Sequence, residues 1–207
     1  MDIKKLPEGT IERLSKYRRC LTTYCKFYRE NIFSHELARN LHLTPEQVRR
    51  DMMLIGHSGS HKNGYNIEEL VEKISEVIDC RGKTNVAVFG LGNLGQAIVR
   101  YLQDKETRLN VEAIFDVNPE KINKPFLSVD CYHIKDLKRI IKEKDIRIAV
   151  LTLPGDDAHD MALEIAEAGV TGIMNFTPVP LKLPEGVFLE EYDILTSLEK
   201  VAFFAKK

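Results

Sequence analysis

The sequence contains no apolar run approaching the ~18 residues that a membrane-crossing helix needs. Its first residues, Met1-Asp2-Ile3-Lys4-Lys5, carry charge where a secretory leader would carry an apolar core. Both absences point to a cytoplasmic chain with no membrane partner. Cysteine is scarce, with Cys20, Cys25, Cys80 and Cys131 the full complement. None forms a C-x-x-C pair and no histidine cluster accompanies them, so neither a disulfide framework nor a metal site is expected. Cys20 and Cys25 leave a thiol sensor open, although packing on a helix is the plainer reading.

What is present suits one large or two small soluble domains: 207 residues, 43% hydrophobic and 29% charged. The net charge of −1 conceals an asymmetry. Through Lys62, Lys and Arg outnumber Asp and Glu by 12 to 7, a balance of +5, and the remainder carries −6. A small basic half beside a larger acidic one fits a nucleic-acid-binding module joined to a module of another kind.

In the basic half, the apolar spacing predicts a helix from about Thr10 to Arg29 and a second helix N-capped by Ser34. Thr44 then caps a third, with Pro45 at its first position, where a missing N–H costs nothing. Two short helices joined by a tight turn form a helix-turn-helix. The second, about Pro45 to Leu54, is the candidate recognition helix, with Val48, Met52 and Ile55 inward and Gln47, Arg49 and Arg50 outward. Arg and Gln donate to phosphates and base edges. A helical hairpin with a solvated basic face is the alternative. The segment Gly56–Tyr65, with Asn63-Gly64, suits a β-hairpin whose tip residues His61 and Lys62 approach a minor groove or backbone. A helix over Ile67–Asp79 follows, then a linker, Cys80-Arg81-Gly82-Lys83-Thr84.

In the acidic part, the strand Val86–Phe89 runs into Gly90-Leu91-Gly92-Asn93-Leu94-Gly95 and then into a helix. This is G-x-G-x-x-G in the context the motif needs. Gly90 makes the turn, Gly92 lets backbone approach a pyrophosphate, Gly95 permits close helix–strand packing, and the helix N-terminus, with Asn93 and Leu94, offers N–H groups to phosphate. A second strand ends at Asp116, about 20 residues on, where a carboxylate accepts from ribose hydroxyls and repels a 2′-phosphate. NAD(H) is therefore expected over NADP(H). A loop acid or cap is the plain alternative for Asp116. Strand–helix alternation continues through Ile146–Leu153, Asp157–Ala168 and Gly172–Phe176, which predicts a doubly wound parallel sheet. Pro154, Phe176 and Pro178, at strand carboxyl ends, are candidates for the nicotinamide end. The last helix, from Asp193 to about Ala205, is so apolar that it needs a home, on its own sheet or in a second subunit.

In order and spacing, Val48-Arg49-Arg50-Asp51, Gly90–Gly95, Phe115–Lys121 and Gly172–Pro178 resemble the Rex family of redox-sensing repressors, and the resemblance covers nearly the whole chain. It implies an α/β chain with an N-terminal winged helix-turn-helix (1–80), a Rossmann domain (85–191) and a C-terminal helix (192–207) swapped between the subunits of a homodimer. It also implies an inverted-repeat operator as DNA partner, NADH and NAD+ as competing ligands, and release of DNA by NADH. By position, Arg13, Tyr101 and Asp193 look like the switch residues of the family; Asp193 is also a good N-cap and Tyr101 an ordinary packing residue. The wing departs from the family, which usually carries a Lys-Arg or Lys-Lys pair where Ser60-His61-Lys62 stand, and loss of cations removes DNA contacts. His159, Asp156 and Asp157 depart as well.

The reading is a DNA-binding repressor, not an enzyme. Its alternatives are a divergent NAD(H)-binding relative with weakened or lost DNA binding and, further off, an NAD-dependent dehydrogenase. A dehydrogenase needs an acid or base poised over a substrate pocket, yet no Arg clamp accompanies His133 or His159, and no chain remains for a substrate domain.

Overall fold

The computed structural model describes residues 6–25, 29–79, 82–104 and 107–205, and divides into two compact units, 1–82 and 83–207. Cys80 and Arg81 of the expected linker lie outside the described residues, as do residues 26–28 of the first expected helix.

The first unit is helical. α1 (Glu8–Cys25) buries Leu14, Tyr17 and Leu21 against α2 (Ser34–Leu41), α3 (Pro45–Leu54) and α4 (Ile67–Ile78). Ile32, Leu37, Val48, Met52, Ile55, Leu70 and Ile74 complete this core. Thr44 caps α3 as expected, its hydroxyl accepting from the Gln47 N–H at 3.2 Å, a contact worth about 1 kcal/mol. Ser34 is not the cap of α2. The extended residue before the helix is Phe33, whose N–H donates to the Glu36 carboxylate at 2.9 Å, and Ser34 becomes the first helical residue.

The wing is smaller than the Gly and Asn-Gly pattern suggested. β1 (Asn31–Ile32) pairs antiparallel with β2 (Tyr65–Asn66), so the strand leaving the wing finds its partner upstream of α2. Within the expected hairpin a single bridge joins Ser60 to Gly64, with reciprocal N–H to carbonyl bonds of 2.8 and 2.9 Å.

The second unit is a six-stranded, all-parallel sheet in the order β5-β4-β3-β6-β7-β8. The strands are β3 (Thr84–Phe89), β4 (Leu109–Asp116), β5 (Cys131–His133), β6 (Ile146–Leu151), β7 (Gly172–Asn175) and β8 (Phe188–Glu191). This is the doubly wound order, reversing between β3 and β6. Alternation along β3 sends Ala87 and Phe89 to one face and Val86 and Val88 to the other. The first face is covered by α6 (Leu137–Glu143) and α7 (Ala158–Glu167), through Ile140, Ile141, Ala162 and Ile165. The second is covered on its β3–β4 side by α5 (Asn93–Gln103), through Val99.

β8 was not anticipated. Only Leu189 of its residues joins a core, and a helix-free connection, 176–187, precedes it, so neither periodicity nor a crossover helix announces the strand. After β8, α8 (Ile194–Phe204) buries none of its residues. No helix among the described residues is long and apolar enough to cross a membrane.

Candidate functional site

The glycine-rich turn stands at the carboxyl edge of the sheet, where the strand order reverses. Gly90 has φ +95°, and a Cβ there would lie 2.8 Å from the Thr152 carbonyl oxygen. At Gly95 a Cβ would come within 2.0 Å of the Gly90 carbonyl oxygen, so the helix can start this close to the strand only without a side chain. Gly92 faces open space. The first intrahelical bond of α5 runs from the Gln96 N–H to the Gly92 carbonyl at 2.9 Å, which leaves the amides of Asn93, Leu94 and Gly95 for a ligand. An open backbone next to three outward amides at the positive end of a helix fits a pyrophosphate. Thr152, which the sequence reading missed, fixes this turn. Its hydroxyl bonds the carbonyls of Phe89 and Gly90 at 3.0 and 2.8 Å.

Asp116 ends β4, in a strand adjacent to β3. One carboxylate oxygen accepts from the Leu91 N–H at 2.8 Å and from Lys121 Nζ at 3.1 Å; the other accepts from the Asn118 N–H at 2.8 Å. Burial pushes the carboxyl pKa up, but the two amides and Lys121 outweigh it, and the net shift is down. The carboxylate is thus ionised and tied to the glycine-rich turn, and the oxygen that accepts from the Asn118 N–H keeps acceptor capacity for a further donor. Lys121 was not singled out in the sequence; its side chain follows a turn whose spacing carries no period.

The loops after β6 and β7 converge. A Cβ on Gly155 would stand 3.3 Å from Pro178 Cγ and 3.1 Å from Val179. Pro154 precedes a short 3-10 turn, Gly155–Asp157, and Phe176 stacks on Tyr192 with ring centroids 5.4 Å apart. Buried Asn175 closes the loop, donating to the Val179 carbonyl at 2.9 Å and accepting from the Thr177 N–H at 2.9 Å. Pro154, Phe176 and Pro178 therefore share the edge that holds the glycine-rich turn. Tyr101 lies on α5, exposed, and Asp193 caps α8 by accepting from the N–H groups of Leu195 and Thr196 at 2.9 and 3.2 Å.

In the first unit, the outer face of α3 carries Glu46, Arg49, Arg50, Met53 and Leu54. Arg49 bonds Glu46 at 2.7 Å and the Ser34 hydroxyl at 3.1 Å. Arg50 has no hydrogen bond or ion pair among the described residues. His61 and Lys62 are exposed at the wing tip, and Thr44 is occupied as a cap. Gln47 does not project freely outward: its amide donates to Asp51 at 3.0 Å. Asp51 is fully buried and also accepts from Arg13 at 2.6 and 2.8 Å and from the Tyr17 hydroxyl at 2.8 Å. Burial raises the Asp51 pKa, but these donors more than offset it and hold the group ionised. Arg13 is thus engaged inside its own unit. The sequence signal for Asp51 is one acid on the inner face of a helix whose outer face carries Arg49 and Arg50.

Cys20 is half-buried, and burial raises its thiol pKa; Cys131 is buried and pushed up to about 11. Reactive thiols are shifted the other way. The Cys25 side chain lies outside the described residues.

Comparison with known proteins agrees with both units. Residues 5–52 match the family described as "Putative DNA-binding protein N-terminus", and residues 81–179 match the CoA binding domain family. The redox-sensing transcriptional repressor Rex of Listeria monocytogenes is 32% identical over 200 residues, 97% of this chain and 93% of the relative. That of Syntrophobacter fumaroxidans is 33% identical over 204 residues, 98% and 97% of the two chains. The crystal structure of RSP, a Rex-family repressor, with NAD+ and operator DNA superposes with a TM-score of 0.89 at 32% identity, covering 96% of this chain and 92% of RSP. RSP with NADH gives 0.86 at 31% identity, with 97% and 94% covered. With both units matched in one continuous alignment at this identity, the chain belongs to the Rex family of redox-sensing transcriptional repressors.

Proposed function

We propose that this protein is a transcriptional repressor that binds an inverted-repeat operator through its first unit and is released when NADH occupies the second. The observation that carries the reading is the joining, in one chain, of a helix-turn-helix with a basic outer face and a glycine-rich turn whose Gly92 and helix amides stand open to a pyrophosphate. Arg49, Arg50, His61 and Lys62 contact DNA; Thr44 holds α3 in position, and Gln47 acts through Asp51. Gly90, Gly92, Asn93, Leu94 and Gly95 hold the pyrophosphate, Asp116 the adenosine ribose, and Pro154, Phe176 and Pro178 border the nicotinamide. The nicotinamide ring of NAD+ is charged and that of NADH is not, and this difference is the signal. The reaction class is binding, not catalysis.

The working form is a cytoplasmic homodimer. Its support is the bare apolar helix α8, together with the palindromic logic of helix-turn-helix proteins, whose half-sites lie about 34–36 Å apart. Domains of 1–80 and 85–191, with 192–207 swapped, fit this arrangement. A rotation between subunits then takes the recognition helices out of register. In this scheme Arg13, Tyr101 and Asp193 form the switch, and an intersubunit Arg13–Asp193 pair must draw Arg13 away from Asp51.

Operator binding followed by fluorescence anisotropy, titrated with NADH and with NAD+, tests the reading. NADH should release DNA, and by linkage the operator should weaken NADH by the same factor. Absence of DNA binding at low salt would leave the alternative of an NAD(H)-binding relative that has lost its operator. The short wing, with Lys62 as its one Lys or Arg, favours that alternative.

A further inference from the structure

We propose that the last turn of α3 reads thymine: Met53, supported by Leu54, packs on the C5-methyl groups of operator thymines beside the contacts made by Arg49 and Arg50. This rests on the DNA-binding reading above and adds a sequence preference to it.

The outward residues of α3 fall at positions 46, 49, 50, 53 and 54, one continuous stripe at helical spacing. The opposite stripe, Val48, Asp51 and Met52, is buried. Met53 is 74% exposed and Leu54 39%. Scattered exposed apolar residues are ordinary, but these two lie side by side on an open surface patch together with Glu46, Arg49 and Arg50. A partner that offers negative charge to Arg50 and Arg49 and a small apolar surface to Met53 complements this patch, with Glu46 already paired to Arg49.

The major groove of duplex DNA offers both. Phosphates line its edges, and on its floor the thymine methyl is the apolar group that sets T apart from C without any hydrogen bond. An α-helix fits the groove, and ten residues span about 15 Å, so both ends of the stripe can lie in it. Methionine suits the role, because its unbranched, polarisable chain adapts to an irregular apolar contact. Arg50, without an ion pair among the described residues, and Arg49, exposed and paired with Glu46 and Ser34, supply the charge complement.

The test uses the full-length chain. The tightest inverted repeat is selected from a randomised duplex library, and each thymine is then replaced by deoxyuridine, which removes only the methyl. At one or two positions in each half-site the replacement should weaken binding about fourfold per methyl. Met53→Ala should bind the thymine and deoxyuridine versions equally there, and Met53→Leu should keep the preference. Tolerance of deoxyuridine at every position, or an unchanged preference in Met53→Ala, would overturn the proposal and leave DNA binding standing. So would a Met53→Ala protein whose only change is its sedimentation, which would assign the patch to a protein contact. Failure to select any repeat would remove the DNA-binding reading and this proposal with it.

Discussion

Single carboxylates organise both units. Asp51 gathers Arg13, Tyr17 and Gln47, and because its pKa is lowered in the folded state, its stabilisation is present above the ordinary carboxylate range and is lost as pH falls through the folded value. Asp51→Ala leaves Arg13 and Tyr17 without their acceptor; it should cost about 3 kcal/mol, in the range for breaking a buried pair. Urea unfolding between pH 7 and pH 3 measures this, and the mutant should lose the acid-side part of the wild-type pH dependence. In the proposed cofactor site Asp116 has a different task. A 2′-phosphate placed near it meets an ionised carboxylate, so NADH should bind at least tenfold more tightly than NADPH. Lys121, 3.1 Å from the same oxygen, moderates that repulsion, and Lys121→Ala should widen the ratio. Equal affinities for the two cofactors in titration calorimetry would remove Asp116 from the ribose site.

At the level of elements, the glycine-rich turn separates structure from ligand. Gly95→Ala would press a methyl onto the Gly90 carbonyl and should lower thermal stability as well as NADH binding. Gly92→Ala meets open space and should melt within a few degrees of wild type; if the cofactor's pyrophosphate is held there as proposed, the added methyl should abolish NADH binding. Differential scanning fluorimetry with and without NADH distinguishes the two. For the wing, Ser60→Lys with His61→Arg should tighten operator binding, and its salt dependence should steepen by about one unit for each new phosphate contact. Unchanged affinity would mean that the wing stands clear of DNA. The elements that sequence revealed are those with a period or a marked end: α3 through Thr44 and Pro45, β3 and α5 through alternating valines and the glycines, β6 through its apolar run. Those it hid lack both. β8 keeps much of its surface exposed and follows a helix-free connection; β1 and β2 are two residues long and pair across 32 intervening positions. Gln47 looked outward by helical phase, but a buried acid one turn later drew its amide back.

For the whole molecule, α8 decides what the chain can be alone. Ile194, Leu195, Leu198, Val201, Phe203 and Phe204 are each more than half exposed, on a helix with no buried residue. A truncation ending at Tyr192 should remain folded, sediment as a monomer and fail to bind an inverted repeat; a truncated protein that stays dimeric and NADH-responsive on DNA would sink the swapped-helix arrangement. If a second copy supplies the cover, folding and association are linked by mass action, and the melting temperature must rise with protein concentration. In a cell the same linkage sets a floor on abundance. Were this so, below the concentration at which copies meet each chain would present its apolar helix to chaperones and proteases, and lone chains would be cleared. The number of repressor molecules would then respond more than proportionally to their synthesis, and a promoter guarded by this protein would be either held by a settled population or barely held at all.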